Sequence, residues 1–244
     1  PSDSFEMRVI ADYDDLDEAC CGVANLLDGP TGLGVRAVGG NLVPNAPFAY
    51  EGYYDFTPVN QFQTDGISME IDYTFNDVTF TSISALRDLT RRDNVDVDFT
   101  SARLLDPETA NRTDTDIDTL TQEFRFSGGG DRADWMIGMF MFHEDVEQFT
   151  GIKYGADFRS YVDVLAIGAA GGTPGVDPSP LLAIEGGLGI PFGTFFGQGQ
   201  GLVELSSMKN RAVSLFATIP GNGGPGLGDI VLDATTRQFF VSDL

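Results

Sequence analysis

Hydrophobic and polar positions alternate with period two over several stretches of the chain, the spacing that puts successive side chains on opposite faces of a β-strand. Ile67, Met69, Ile71, Tyr73 and Phe75 fall on one face, with Ser68, Glu70, Asp72 and Thr74 on the other. Asn76-Asp77 then supplies a tight-turn pair, and Val78, Phe80, Ser82, Ser84 and Leu86 resume the alternation, which predicts a β-hairpin. An opening strand carries Phe5, Met7, Val9, Ala11 and Tyr13 against Glu6, Arg8, Ile10 and Asp12. Another spans Leu120 to Ser127, with Leu120, Gln122, Phe124 and Phe126 opposite Thr121, Glu123 and Arg125. Trp135 to Phe142 is apolar on both faces, so periodicity leaves its outward side open, and Arg211 to Ile219 is a sixth, weaker segment.

The connections between these strands alternate long and short: about 50 residues, two, about 27, about seven, about 60. Transmembrane β-barrels have this rhythm, because their periplasmic turns are short and their extracellular loops long. The predicted fold is therefore all-β: an antiparallel up-and-down transmembrane β-barrel segment of about six strands, with outside loops at 14–63, 91–117 and 149–208. Strands of roughly 9 to 11 residues suit a tilted bilayer crossing. Glu6, Arg8, Glu70, Asp72, Glu123 and Arg125 oppose the apolar stripe, and Glu70, Asp72, Glu123 and Arg125 are the expected lumen-facing set. A soluble sheet, packed on one face and wet on the other, shares the alternation; the loop rhythm favours the barrel.

Composition narrows the functions. With 37 acidic against 14 basic residues and a net charge of −23, the chain repels polyphosphates, which excludes nucleic acid as a partner. No run of 18 apolar residues exists, which excludes helical membrane spans, and Pro1 to Ser4 lacks the basic and apolar regions of a signal peptide. Cys20 and Cys21 are adjacent and the only cysteines, so they offer neither a disulfide framework nor a CxxC metal site. The 30 glycines and 12 prolines follow no collagen-like period and mark turns and loops, above all after residue 164.

Candidate chemistry is sparse. His143 is the only histidine and ends a predicted strand, a poor basis for a Ser/His/Asp triad, and no catalytic residue is assigned. The runs Gly186 to Gly193 and Gly197 to Gly201 lack GK[ST] and the strand–helix context of a phosphate loop, so they read as flexible loop. Asp114, Asp116 and Asp118 form a DxDxD run without the glycine and distal glutamate of an EF-hand, and no metal or cofactor is assigned. Aromatics gather in the first and third loops. Of these, Tyr50, Tyr53, Tyr54, Tyr154 and Tyr161 are candidate ligand contacts by stacking, while an interfacial aromatic girdle is the competing role.

Three successive stretches carry a family resemblance: VTFTSISALRD (Val78 to Asp88), LTQEFRFSG (Leu120 to Gly128) and DWMIGMFMFHED (Asp134 to Asp145). In order and spacing they resemble consecutive barrel strands of TonB-dependent outer-membrane receptors, and KNRAVSLFA (Lys209 to Ala217) is similar to the next strand after a long loop. The resemblance covers roughly Phe5 to Ala217. It implies a location in the cell outer membrane, contact with outer-membrane lipid, and uptake without catalysis of a scarce nutrient, most often a ferric siderophore. Import would be energised by the TonB complex acting on a plug domain. This chain has no recognisable plug or TonB box, so residues 1–219 are expected to be part of a barrel. Residues 220–244 are a Gly/Pro-rich turn and an unassigned tail. The alternative from another class is a secreted acidic β-sandwich that binds carbohydrate or calcium.

Overall fold

The computed structural model describes residues 4–19, 23, 27–43, 46, 48–106, 112–130, 134–219 and 227–243; Cys20 and Cys21 lie outside the described residues. Among the described residues, seven strands form one antiparallel sheet in chain order: β1 (Phe5–Glu18), β2 (Val59–Phe75), β3 (Val78–Asn94), β4 (Arg112–Gly129), β5 (Asp134–Lys153), β6 (Gly201–Ile219) and β7 (Leu227–Asp243). Each strand pairs only with its sequence neighbours, and β1 does not meet β7, so the sheet is up-and-down and open rather than closed into a barrel. The tail left unassigned by its sequence pairs along β6, with a register irregularity between Ala217 and Ile219.

The Asn76-Asp77 turn is as expected: β2 ends at Phe75, β3 begins at Val78, and Asn76 takes the left-handed φ of 52° that such a tight turn uses. The strands, however, are longer than the predicted 9 to 11 residues, running from 14 to 20. The extra turns of strand lie away from the short hairpins, where Asp14, Asp15, Arg91, Arg92, Asp114 and Asp116 put polar groups on both faces. Hydrophobic alternation stops there, but ladder hydrogen bonding continues. The long connections accordingly shrink to 19–58, 95–111 and 154–200.

Register settles the face of β5. Ile67 pairs with Leu86, Leu86 with Leu120, and Leu120 with His143; one pair lower, Met69, Ser84, Gln122, Met141 and Val213 share a row. Trp135, Ile137, Met139 and Met141 therefore lie on the face of the Ile67 stripe. Polar side chains on that face answer one another: Ser84 donates to Gln122 Oε1, and Gln122 Nε2 donates to Ser82 Oγ at 3.2 Å. Near the short turns the face becomes aromatic, with Phe80 and Phe126 rings 4.9 Å apart and Tyr73 stacked near Phe75. At the other margin a single row reads Tyr13, Asp65, Asp88, Asp118, Asp145, Lys209.

Between those margins the apolar face is bare. Met7, Ile67, Leu86, Leu120, Ile137 and Leu215, one from each of β1 to β6, remain 47–55% exposed. Among the described residues neither a helix nor a second sheet packs on it. The buried core lies instead among the long connections, where Val35, Leu42, Ala102 and Leu104 cluster with Val38, Phe158 and Tyr161.

Candidate functional site

The three long connections emerge at the same end of the sheet, as an up-and-down order requires, and they build a cap that holds, among the described residues, three helices: α1 (Pro30–Ala37), α2 (Phe158–Ala169) and α3 (Pro180–Leu188). Proline opens α1 and α3, a position where its missing N–H is not needed. Ser179 caps α3 by accepting from Leu181 N at 3.2 Å, and Gly189 ends it in the left-handed conformation. The reading of Gly186 to Gly193 as flexible loop is thus corrected: Gly186 and Gly187 are the last turn of α3. Likewise Gly201 of the second glycine run opens β6.

Residues 95–106 are the strap that joins the other two connections. Asn41 N donates to Ser101 Oγ at 2.8 Å and Ser101 N to Asn41 O at 2.9 Å, which ties the strap to the first connection. On its other side Gly155 N donates to Leu104 O at 2.8 Å, Asp157 N to Arg103 O at 2.9 Å, and Arg103 N to Asp157 Oδ2 at 3.0 Å. Backbone groups lie so close that a side chain on Gly155 would collide with the carbonyls of Arg103 and Leu105. Asp96, fully buried, accepts from Asp55 N and Asp98 N, both at 3.2 Å.

The third connection has its own polar core. Arg159 donates to both oxygens of Glu185, to Asp163 and to Phe195 O, while Gly193 N and Phe195 N donate to Glu185 at 2.9 and 2.8 Å. Glu185 has no exposed surface, and its partners hold its carboxyl at about 2, with the Arg159 hydrogen bonds the largest cause. A buried ionic pair of this kind depends on added hydrogen bonds to offset its desolvation, which Asp163, Phe195 O and the Gly193 and Phe195 amides supply.

Between α1, the strap and α2 lies a cavity of about 240 Å³, lined by Leu27, Val35, Leu42 and Leu104 together with Thr31, Asp98, Thr100 and Tyr161. Asp98 Oδ1 accepts from Thr100 N at 3.0 Å and Thr100 Oγ1 at 2.7 Å, but Oδ2 is buried without a hydrogen-bond partner. Desolvation by burial pushes the Asp98 carboxyl up to about 7, and the same cause raises Asp55 to about 6. Tyr161 is raised too, by burial and then by the charge of Asp98.

Of the tyrosines singled out from sequence, the cap gathers two. Tyr161 belongs to its core, and the Tyr154 ring lies parallel to Phe158 with centroids 4.1 Å apart, Phe196 tilting against both. Tyr50 is almost wholly exposed with a φ of 54°, Tyr53 is exposed, and Tyr54 folds back over Gly52; none of the three joins the cap core. The acidic and basic residues predicted to share a face do so. Glu70, Ile83 and Glu123 form one row, and Asp72, Thr81 and Arg125 another. Glu70 is ion-paired with Arg8, Arg125 Nε lies 3.1 Å from Glu123 Oε1, and Thr81 donates to Asp72.

His143 sits at the margin of the apolar face with Nε2 3.2 Å from Asp145, which also accepts from Lys209 at 3.0 Å. The DxDxD carboxylates share a face of β4, where Asp114 pairs with Arg112 and Asp116 accepts from Thr90. Among the described residues no group of three or more His, Cys, Asp or Glu is placed to hold a metal ion. Nor is any described helix long and apolar enough to cross a membrane, which bears on helices alone. Sequence reading missed Asp96, Asp98, Arg159 and Glu185; Ser179-Pro180 was a legible helix start, whereas the partners of Glu185 lie too far apart in sequence to signal one another. In comparisons with family models, curated protein sequences and solved structures, no match to the chain is found.

Proposed function

We propose that the chain is part of the wall and outer loops of a TonB-dependent outer-membrane receptor, and that it takes up a scarce nutrient such as a ferric siderophore without chemical change. The observation that carries the reading is the bare apolar face across six adjacent strands. From Val78 to Leu86 that face rises about 26 Å along the strand, roughly 20 Å in height at the usual tilt, against an outer-membrane band of roughly 25 Å. Leaving such a surface in water would be an aggregation hazard; turned to hydrocarbon it is satisfied. The aromatic margin at the short-turn end corresponds to one of the two aromatic girdles of such a wall, and at the loop end a carboxylate row bounds the apolar band.

The opposite face would look into the interior, where the Arg8–Glu70 and Arg125–Glu123 pairs lie. Ligand would meet the cap first. The choice of TonB-dependent uptake over other barrel functions rests on the resemblance of Val78 to Asp88, Leu120 to Gly128 and Asp134 to Asp145 to strands of that family. Cell fractionation tests the location: the chain should sediment with outer membranes and need detergent for extraction. Recovery in the soluble fraction would favour the secreted sandwich.

A further inference from the structure

We propose that His143, Lys209 and Arg211 form a seat on the bare face of the sheet for the phosphate headgroup of a membrane lipid, whose acyl chains lie along Met141, Val213 and Leu215. The register brings these residues together. One row runs Ala11, Ile67, Leu86, Leu120, His143 and Arg211, so the upper limit of the apolar band is aliphatic on β1 to β4 and basic on β5 and β6. The row above it ends on Asp145 and Lys209, and the row below pairs Met141 with Val213. Arg211 is exposed and, among the described residues, its guanidinium has neither a hydrogen bond nor an ion pair. Val213 and Leu215 beneath it are 43% and 48% exposed.

A guanidinium at the edge of hydrocarbon extends towards the headgroup level, where it meets an anion. The carboxylates of this face, Asp65, Asp88, Asp118 and Asp145, stand in the row above, and the one next to Arg211, Asp145, is already engaged by Lys209 at 3.0 Å and lies 3.2 Å from His143 Nε2. A lipid phosphate comes to this height because its acyl chains fill the band below, and a guanidinium binds it through two parallel N–H donors. Lys209 adds a second cation from the row above. Asp65, Asp88 and Asp118 repel phosphate along β2 to β4, which confines the seat to β5 and β6. Inorganic phosphate lacks the apolar half of the contact, and a diacylglycerol lacks the charge.

The proposal rests on the receptor reading for a membrane-facing sheet, yet its test involves no transport. The full chain in non-ionic detergent micelles is titrated with dioctanoyl phosphatidic acid, dioctanoyl glycerol and inorganic phosphate, and amide shifts are followed by NMR. Phosphatidic acid should move the amides of His143, Lys209, Arg211 and Val213 in a saturable way, and the other two probes should bind at least about tenfold more weakly. Arg211→Gln should weaken phosphatidic acid about tenfold, and Arg211→Lys, which keeps the charge, should weaken it less. Arg92→Gln, which removes a cation of the same face on β3, should leave binding unchanged and serves as the control for general surface attraction. Equal binding of phosphatidic acid and dioctanoyl glycerol, equal binding of inorganic phosphate, or an equal loss in Arg92→Gln and Arg211→Gln would overturn the seat. Absence of phosphatidic acid binding in a chain that fractionates with outer membranes would also overturn it and leave the receptor reading in place. Recovery of the chain in the soluble fraction, with Arg211-dependent binding intact in micelles, would instead remove the receptor reading and leave the seat standing.

Discussion

The Arg87 guanidinium crosses Gly66 to reach both carboxylate oxygens of Asp12, each at 2.8 Å, because the three residues form one row across β1, β2 and β3. Any side chain on Gly66 would occupy the path: a Cβ there would stand 2.9 Å from Arg87 Nη2 and 3.2 Å from Asp12 Oδ1. Both partners are about half exposed, so their coupling should be below about 1 kcal/mol in a double-mutant cycle of Asp12→Ala and Arg87→Ala, followed by urea unfolding in micelles. In a Gly66→Val background that coupling should vanish. Coupling that survives the valine would mean the pair does not depend on the glycine gap.

Glu185 is the hub of the third connection, and Glu185→Ala removes the acceptor of Gly193 N and Phe195 N and leaves Arg159 with Asp163 and Phe195 O as its partners. Hydrogen exchange should speed up at the Gly193 and Phe195 amides and through α3, and stay slow where β5 pairs with β6. Uniform loss of protection across the sheet would show that cap and sheet unfold together, against the separate core placed in the cap here.

The pH dependence of the cap has two limbs. Glu185, held at about 2, stabilises the cap fully above the ordinary carboxylate range, and this contribution is lost as pH falls from about 4.5 towards 2. Asp98 at about 7 and Asp55 at about 6 act in the opposite sense: their ionisation is opposed in the folded cap, so stability declines as pH rises from about 4 through 7. Local opening free energies from exchange at Ala102 and Leu104, corrected for intrinsic rates, should therefore peak at about pH 3.5 to 4. Asp98→Asn should remove the decline above about pH 6, make the decline below it shallower, and leave the Glu185 limb in place.

How far this architecture could be read beforehand depends on which residues one considers. The Ile67 and Val78 stripes declared their faces because the apolar side has no competing function. Trp135 to Phe142 did not, since both of its faces are greasy and only the register with Leu120 and Phe126 assigns them. Strand ends beyond Asp65 and Asp88 were hidden because polar residues on both faces erase the alternation while the backbone ladder continues. The cap was hidden for a different reason. Phe158, Tyr161 and Leu165 have helical spacing within a glycine-rich stretch, yet the cavity depends on Val35, Asp98 and Tyr161, brought together from three separate connections.

The two faces of the sheet should differ in their tolerance of charge. Ile71 lies mid-height on the bare apolar face, in the row of Met7, Ser82, Phe124 and Met139, and Ile83 lies at similar height on the opposite face. In a bilayer Ile71→Arg should cost about 2–4 kcal/mol, whereas Ile83→Arg, beside Glu70 and Glu123, should be close to neutral. Unfolding titrations in lipid vesicles measure the difference. Equal costs would remove the distinction between a lipid face and an interior.

The most direct measurement is the environment of consecutive side chains along β2. With Cys20 and Cys21 replaced by serine, single cysteines at positions 67 to 75 would carry a nitroxide, and collision with oxygen and with a water-soluble nickel chelate would be measured in a bilayer. Ile67, Met69, Ile71, Tyr73 and Phe75 should be oxygen-accessible and chelate-poor, with Ser68, Glu70, Asp72 and Thr74 reversed. Chelate access at every position, or no alternation at all, would contradict a membrane-facing sheet.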